Sequence, residues 1–344
     1  MSRALEGELA ASLKSGDPTA AYRSISELFV PNLDGDLLEL EILGRSHPFP
    51  DDCYVLRDGC AAAVSKLGLV QAFLVGRKIL TGQLDGTSPR KDDEILAATA
   101  VMLLMDPEHL TAANTRKRVL RGRISRGNSP ALRSTLEAEK HFLDSLLTSR
   151  LHRHTKSPTL WAHLQWLLRE FSSVGIPILG LPDLKRIVFV AGERHPRNYY
   201  TWNHARFLLR TGSLAPDEDG LMAVMKWCAQ HHTDTSGWSF LYFFLSNMAP
   251  SDPESTHKAL EGVLALVQSL RLTNESVWVF LRTLAASALT GEEDYSKFLT
   301  FSRSFIESSK SSTDHGVLRS ALGWCETHRT KPTPTEPGVA QIQP

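Results

Sequence analysis

Two histidine pairs, His152-x-His154 and His231-His232, invite a metal reading, because imidazole is a common zinc ligand. No cysteine or carboxylate cluster at ligand spacing completes either pair, so both read as solvated helix ends and no metal is expected in this chain. The four cysteines, Cys53, Cys60, Cys228 and Cys325, are scattered without a CxxC pair and read as reduced thiols of an intracellular protein. Arg116-Lys117-Arg118 with Arg121, Arg123 and Arg126 is the strongest basic cluster. Two readings of it stand. It can face an acidic partner surface or a diphosphate, or it can be a cation-favoured helix C-terminus running into a solvated loop. No GxxxxGK[ST], GxSxG or HExxH motif occurs, so phosphate-loop and hydrolase readings have no support.

The elements that position these residues are helices. Ile95, Leu96, Thr99, Met102 and Leu103 follow a helical face, with Asp92 or Asp93 expected as its cap. Ser134 and Glu137 have capping-box spacing before Leu136, Leu143 and Leu147. Further stripes are Leu184, Ile187, Val188 and Ala191; Leu221, Val224, Met225 and Cys228; and Leu260, Val263, Leu264 and Val267. The run Ile187–Val190 lacks period-2 surroundings and is read as helix. No Asn-Gly or Asp-Gly hairpin is read between alternating runs, and Asp85-Gly86 reads as a loop. The predicted fold is therefore all-α, with Gly/Pro/Asp-rich breaks at 82–89, 121–130, 175–182, 212–219 and 250–253.

Composition narrows the class. The 344 residues carry 38 Lys+Arg against 38 Asp+Glu, with 42% apolar and 22% charged residues. That fits a soluble chain with a core, and the zero net charge argues against nucleic acid. No apolar run is long enough for a membrane span. The first 17 residues lack an apolar signal core. A cytoplasmic location is expected. The Pro/Thr-rich segment 331–344 reads as a disordered tail after a single helical-repeat domain, 1–330.

A repeat runs through the chain. Its clearest copy is Arg197-Asn198-Tyr199-Tyr200-Thr201-Trp202-Asn203-His204-Ala205-Arg206, followed by Phe207-Leu208-Leu209. The same frame fits Ser157 to His163 around Trp161, Thr235 to Phe240 around Trp238, and Glu275 to Arg282 around Trp278. A further copy, Asp106 to Lys117 with Asn114 and Arg116, has Ala113 in the Trp slot, and the slots recur at 48, 41, 36 and 40 residues. In each copy a turn residue (Pro107, Ser157, Asn198 or Ser236) caps or stops a helix, and Trp enters a groove between helices. Such hairpins bury their apolar faces only by stacking, which predicts a solenoid.

The motif resembles the Asn-Tyr-x-x-Trp-x-x-Arg repeat of protein prenyltransferase α subunits. The likeness covers about residues 92–285, with 67–80 as a possible degenerate copy. It is nearest to the divergent branch of α subunit repeat-containing proteins rather than to the farnesyltransferase α chain. The arginine three after Trp is kept only as Arg116, the other copies having Leu164, Ala205, Leu241 and Leu281. Arg206 and Arg282 sit one position later. This departure puts the family's polar contacts in doubt, but not the apolar solenoid.

The resemblance implies an α-α superhelix of stacked helical hairpins that wraps a β subunit, with the catalytic zinc in that partner. The assembly would transfer a farnesyl or geranylgeranyl group from a prenyl diphosphate to a protein cysteine, this chain being inactive alone. Arg197 matches the family's basic residue before Asn-Tyr, so it is the diphosphate candidate with Tyr199 and Tyr200; the plainer reading makes it a solvated turn residue. His163 and His204 belong to the motif, His204 more as a packed residue than an acid–base group. The alternative from another class is a non-enzymatic helical scaffold, which the eroded arginines favour. The Trp frame weighs against tetratricopeptide arrays, whose period is about 34 residues.

Overall fold

The computed structural model describes residues 16–30, 36–44, 46–47, 49–127, 129–248, 252–308 and 312–330. Residues 1–15, read above as lacking a signal, and the 331–344 tail lie outside the described residues. The chain divides into two compact units, residues 1–207 and 208–344, with the division inside the helix Tyr199–Arg210.

The first unit opens with α1 (Pro18–Ser26), whose cap Asp17 accepts from Thr19 N at 2.8 Å and Ala20 N at 3.0 Å. A small sheet follows: β1 (Glu39–Leu43), β2 (Val55–Asp58) and β3 (Ala61–Ser65), in the order β1-β3-β2. β1 pairs parallel to β3 with Glu39 opposite Ala61, and β2 pairs antiparallel with Asp58 opposite Ala61. This corrects the hairpin-free reading. The turn is Gly59-Cys60, directly after Asp58, and Gly59 has φ +57°, the left-handed region glycine enters without a Cβ clash. The signal was an Asp-Gly dipeptide beside a weak, alanine-rich strand whose Ala62 and Val64 face the core.

The helices then come in pairs. In the first unit they are α2 (Lys66–Leu84), α3 (Asp92–Met105), α4 (Leu110–Ile124), α5 (Pro130–Leu147), α6 (Pro158–Ser173) and α7 (Tyr199–Arg210). Two caps differ from expectation. Lys91 precedes α3, so Asp92 and Asp93 lie inside its first turn, where carboxylates meet the positive end of the dipole. Ser129 caps α5 by accepting from Leu132 N at 3.1 Å with Pro130 at the first position, so Ser134 is interior. The segment before α7 is helical as predicted, built from Gly180–Asp183, a π-helical turn Leu184–Val188 and Phe189–Arg194.

The second unit contains α8 (Glu218–Gln230), α9 (Thr235–Asn247), α10 (Pro253–Leu270), α11 (Glu275–Ala286), α12 (Glu292–Ser308) and α13 (Ser312–His328). Here α8 packs on α10 and α10 on α12, while α9 packs on α11 and α11 on α13. Two layers result, one of first helices and one of second helices. In the first unit α4 packs on α6 in the same way. The fold is all-α apart from the sheet, built of stacked helical hairpins as the repeat predicts. Each Trp of the motif heads a second helix, and Trp161, Trp202, Trp238 and Trp278 are all buried. Burying about 200 Å² each at about 25 cal/mol per Å² contributes roughly 5 kcal/mol gross per indole.

Candidate functional site

The motif's turn residue does more than cap a helix. Trp161 Nε1 donates to Thr155 O at 2.8 Å, Trp238 Nε1 to His232 O at 3.0 Å and Trp278 Nε1 to Leu272 O at 2.9 Å. The acceptor is always six residues before the Trp. The next copy then reaches the same atom: Asn198 Nδ2 donates to Thr155 O at 2.8 Å, and Asn274 Nδ2 to His232 O at 2.6 Å. Each of these asparagines stands four residues before its own Trp. Ser157, in the same place before Trp161, sets its hydroxyl 3.2 Å from Pro107 O, six before Ala113, and touches Glu108. A carbonyl has two lone pairs, and here one serves its own copy and the other the next. The caps of the first and fourth copies are His109 and Asp234, not Pro107 and Ser236. Asn114 is exposed on α4 and is not the counterpart of Asn198; that position is His109.

In two copies the position two after the Trp forms a second contact with the preceding copy. His204 lies 5.1 Å from the Trp161 ring, and Phe280 lies 5.1 Å from the Trp238 ring, both pairs tilted by 41°. His204 thus does the work of a phenylalanine. Burial, with Lys140 nearby, pushes its pKa down to about 3, so it is neutral and packed rather than a proton carrier. His163, two after Trp161, is also buried, and desolvation takes it down to about 3 despite Glu139 Oε1 at 3.3 Å.

Arg116 is buried too. Its Nε donates to Glu139 Oε1 at 2.9 Å and Nη2 to Oε2 at 2.5 Å, while Nη1 donates to Leu96 O at 2.5 Å and Thr99 Oγ1 at 3.0 Å. Its guanidinium lies 4.3 Å from the centre of the Phe142 ring. Burial would raise the Glu139 carboxyl, but the guanidinium outweighs it and holds the carboxyl below its usual range. The equivalent Leu164, Ala205, Leu241 and Leu281 are all buried, so those slots are apolar core. Arg206 Nη1 donates to Trp202 O within its own helix at 3.2 Å, and Arg282 lies 5.3 Å from the centre of the Trp324 ring. Neither repeats the Arg116 network.

Four more residues of the basic cluster are occupied within the unit, while Arg118 is exposed. Arg123 Nη2 meets Asp93 at 2.6 Å, Arg126 Nη2 meets Asp92 at 3.1 Å, and Arg121 and Lys117 lie over the Trp166 ring. Burial works against the Asp92 carboxylate, yet hydrogen bonds from Arg126 and Arg90 hold its pKa below the usual value. The histidine pairs are not both solvated ends. His154 is buried, with Nε2 2.9 Å from Leu104 O and 3.1 Å from Leu103 O, and desolvation brings its pKa down to about 4. His231 stacks on Trp227 with centroids 4.2 Å apart.

One edge of the motif is open. Arg197 is exposed and has φ +59°, a left-handed conformation that costs a residue with a Cβ about 1 kcal/mol. Beside it Tyr199 is 65% exposed and Tyr200 36%, their rings 5.7 Å apart edge to face. The three stand at the N-terminus of α7, where the peptide dipoles favour an anion. The sequence reading found this edge but missed Asn274, which has no tyrosine after it to mark it. Its only signal is the four-residue offset from Trp278.

These features define a helical-hairpin repeat fold, and comparisons with known proteins find it similar to that of prenyltransferase α subunits. Residues 180–263 match the family model described as the ECM9 middle domain. The chain is 26% identical over 178 residues to protein prenyltransferase alpha subunit repeat-containing protein 1 of Danio rerio, covering 46% of this chain and 39% of that protein. It is 27% identical over 154 residues to Protein ECM9 of Saccharomyces cerevisiae, covering 45% and 40%. It is 26% identical over 208 residues to geranylgeranyl transferase type-2 subunit alpha of Mus musculus, covering 57% and 34%. The matches thus span two fifths or less of these relatives' own length. Among the described residues no helix is long and apolar enough to cross a membrane.

Proposed function

We propose that this chain is the α-type subunit of a heterodimeric protein prenyltransferase. A β subunit would hold the catalytic zinc and the lipid, and the pair would act in the cytoplasm. In the reaction a cysteine thiol loses its proton and forms a C–S bond to the prenyl carbon, while the C–O bond to diphosphate breaks. The observation that carries the reading is the Arg197–Tyr200 edge. Most of the motif is spent on packing, whereas Arg197, Tyr199 and Tyr200 stand exposed at a helix N-terminus. There a guanidinium can bind diphosphate oxygens bidentately and stabilise the charge on the leaving group. Similarity to a geranylgeranyl transferase α subunit supports the same reading.

The test is co-purification followed by assay. A prenyltransferase β subunit should be recovered with the chain, and the complex should transfer a prenyl group to a cysteine-containing acceptor. Recovery of no β subunit together with no transfer ends this proposal. A second reading, a non-enzymatic scaffold, is favoured by the apolar Leu164, Ala205, Leu241 and Leu281 in the arginine slot. It requires stable partners to be captured without any prenyl transfer.

A further inference from the structure

A different chemistry stands in the second unit, between α10 and α12. His257 and Glu261 are four residues apart on α10 and so share one face. Asp294 lies in the first turn of α12. His257 Nδ1 is 2.7 Å from Asp294 Oδ1, and one ligand atom from each of the three residues lies within 4.8 Å of the others. This is the one such trio among the described residues.

We propose that His257, Glu261 and Asp294 bind one divalent cation of the zinc type, which clamps α10 to α12. Imidazole with carboxylates is a donor set that such ions take, with water filling the fourth position of an open tetrahedral site. Bonds of about 2.0–2.2 Å set tetrahedral ligand atoms roughly 3.3–3.6 Å apart, so closure needs a shift of about 1 Å. The side chains have that freedom, His257 being 46% and Glu261 35% exposed.

The charges also balance. Two carboxylates and a neutral imidazole offset a 2+ ion completely. On binding, any proton on His257 Nδ1 goes to solvent, and the Asp294 hydrogen bond gives way to two metal bonds. The Lys297 ammonium, which now contacts Glu261, swings out through its 51% exposed side. Lys297 is therefore the cation that the metal displaces. The site is separate from the zinc expected in a β subunit and stands whether or not the chain takes part in prenylation.

The test is a calorimetric titration of the full chain with Zn²⁺, repeated with Co²⁺ followed by its absorption bands. One saturable equivalent is expected. His257→Ala and Asp294→Asn should each weaken it by about tenfold or more, since loss of a direct ligand exceeds the 10–100-fold cost known for outer-shell groups at its low end. Glu261→Gln, which keeps the side chain's shape, should do the same if either of those variants fails to fold. Lys297→Ala should tighten binding, because it removes the competing ammonium, and His231→Ala should leave it unchanged. Absence of saturable binding, or full affinity in a folded His257→Ala or Asp294→Asn variant, overturns the proposal.

Discussion

Trp161 and Asn198 donate to one oxygen: the indole Nε1 and the amide Nδ2 each lie 2.8 Å from the Thr155 carbonyl. One residue belongs to the copy that contains Thr155 and the other to the copy that follows. The motif's asparagine is therefore a fastener between copies, and its side-chain oxygen also accepts from Thr201 N at 3.4 Å at the start of α7.

Replacing Asn198 with aspartate keeps the acceptor and removes the donor. A buried carboxylate then faces a carbonyl, which costs about 1–3 kcal/mol or more. Urea unfolding should show a lower midpoint with an unchanged slope. Asn198→Asp as stable as wild type would show that the shared carbonyl contributes nothing.

The Arg116–Glu139 pair is sealed from water, with side chains 5% and 2% exposed. Glu139→Leu leaves a buried guanidinium uncompensated and should cost roughly 3–5 kcal/mol. The double variant Arg116→Leu, Glu139→Leu should recover much of that loss, since leucine already fills the equivalent slot in three other copies. Thermal unfolding of these two variants and of Arg116→Leu alone gives the coupling directly, and additive losses would refute it.

Acid should loosen this fold through histidines rather than carboxylates alone. His204 and His163 are held down to about 3 and His154 to about 4, against about 6.5 in the unfolded chain. Below pH 6.5 the unfolded chain binds protons that the folded chain refuses. Stability is thus complete above that pH and falls toward pH 3–4, with a limiting slope of roughly 1.4 kcal/mol per pH unit for each histidine. His204→Phe copies the residue found at Phe280. It should lose less stability between pH 7 and pH 5 than wild type, by up to about 2 kcal/mol. Parallel pH curves would refute the assignment.

Arg197 offers a clean separation of folding from function. Arg197→Gly relieves the left-handed backbone at φ +59°, which offsets by about 1 kcal/mol the loss of the side chain's contacts, and the variant should still fold cooperatively in urea. In a reconstituted complex the same variant should bind prenyl diphosphate more weakly. Unchanged affinity would leave Arg197 as a turn residue only.

The helices were legible because their apolar stripes repeat, and the Trp slot because one large residue recurs in a fixed frame. What escaped has no period. Glu139 carries no sequence signal of its own, because its partner Arg116 lies 23 residues away in sequence. Asp58-Gly59 was overlooked because Ala61, Ala62 and Ala63 carry little strand signal, although Gly59 makes the turn. His257 and Asp294 are 37 residues apart, and only the stacking of α10 on α12 brings them together.

The fixed six-residue offset acts as a ruler. Spacing between successive slots varies from 36 to 48 residues, yet the distance from each Trp back to its acceptor carbonyl does not vary in the three copies that show it. Length changes are therefore absorbed outside that stretch, in both helices of a copy and their loops, the second helices running from 12 to 16 residues. A residue inserted between Thr155 and Trp161 would detach both donors at once, whereas one inserted in the Gly175 loop would detach neither. An insertion there should leave the order in which the copies fasten unchanged.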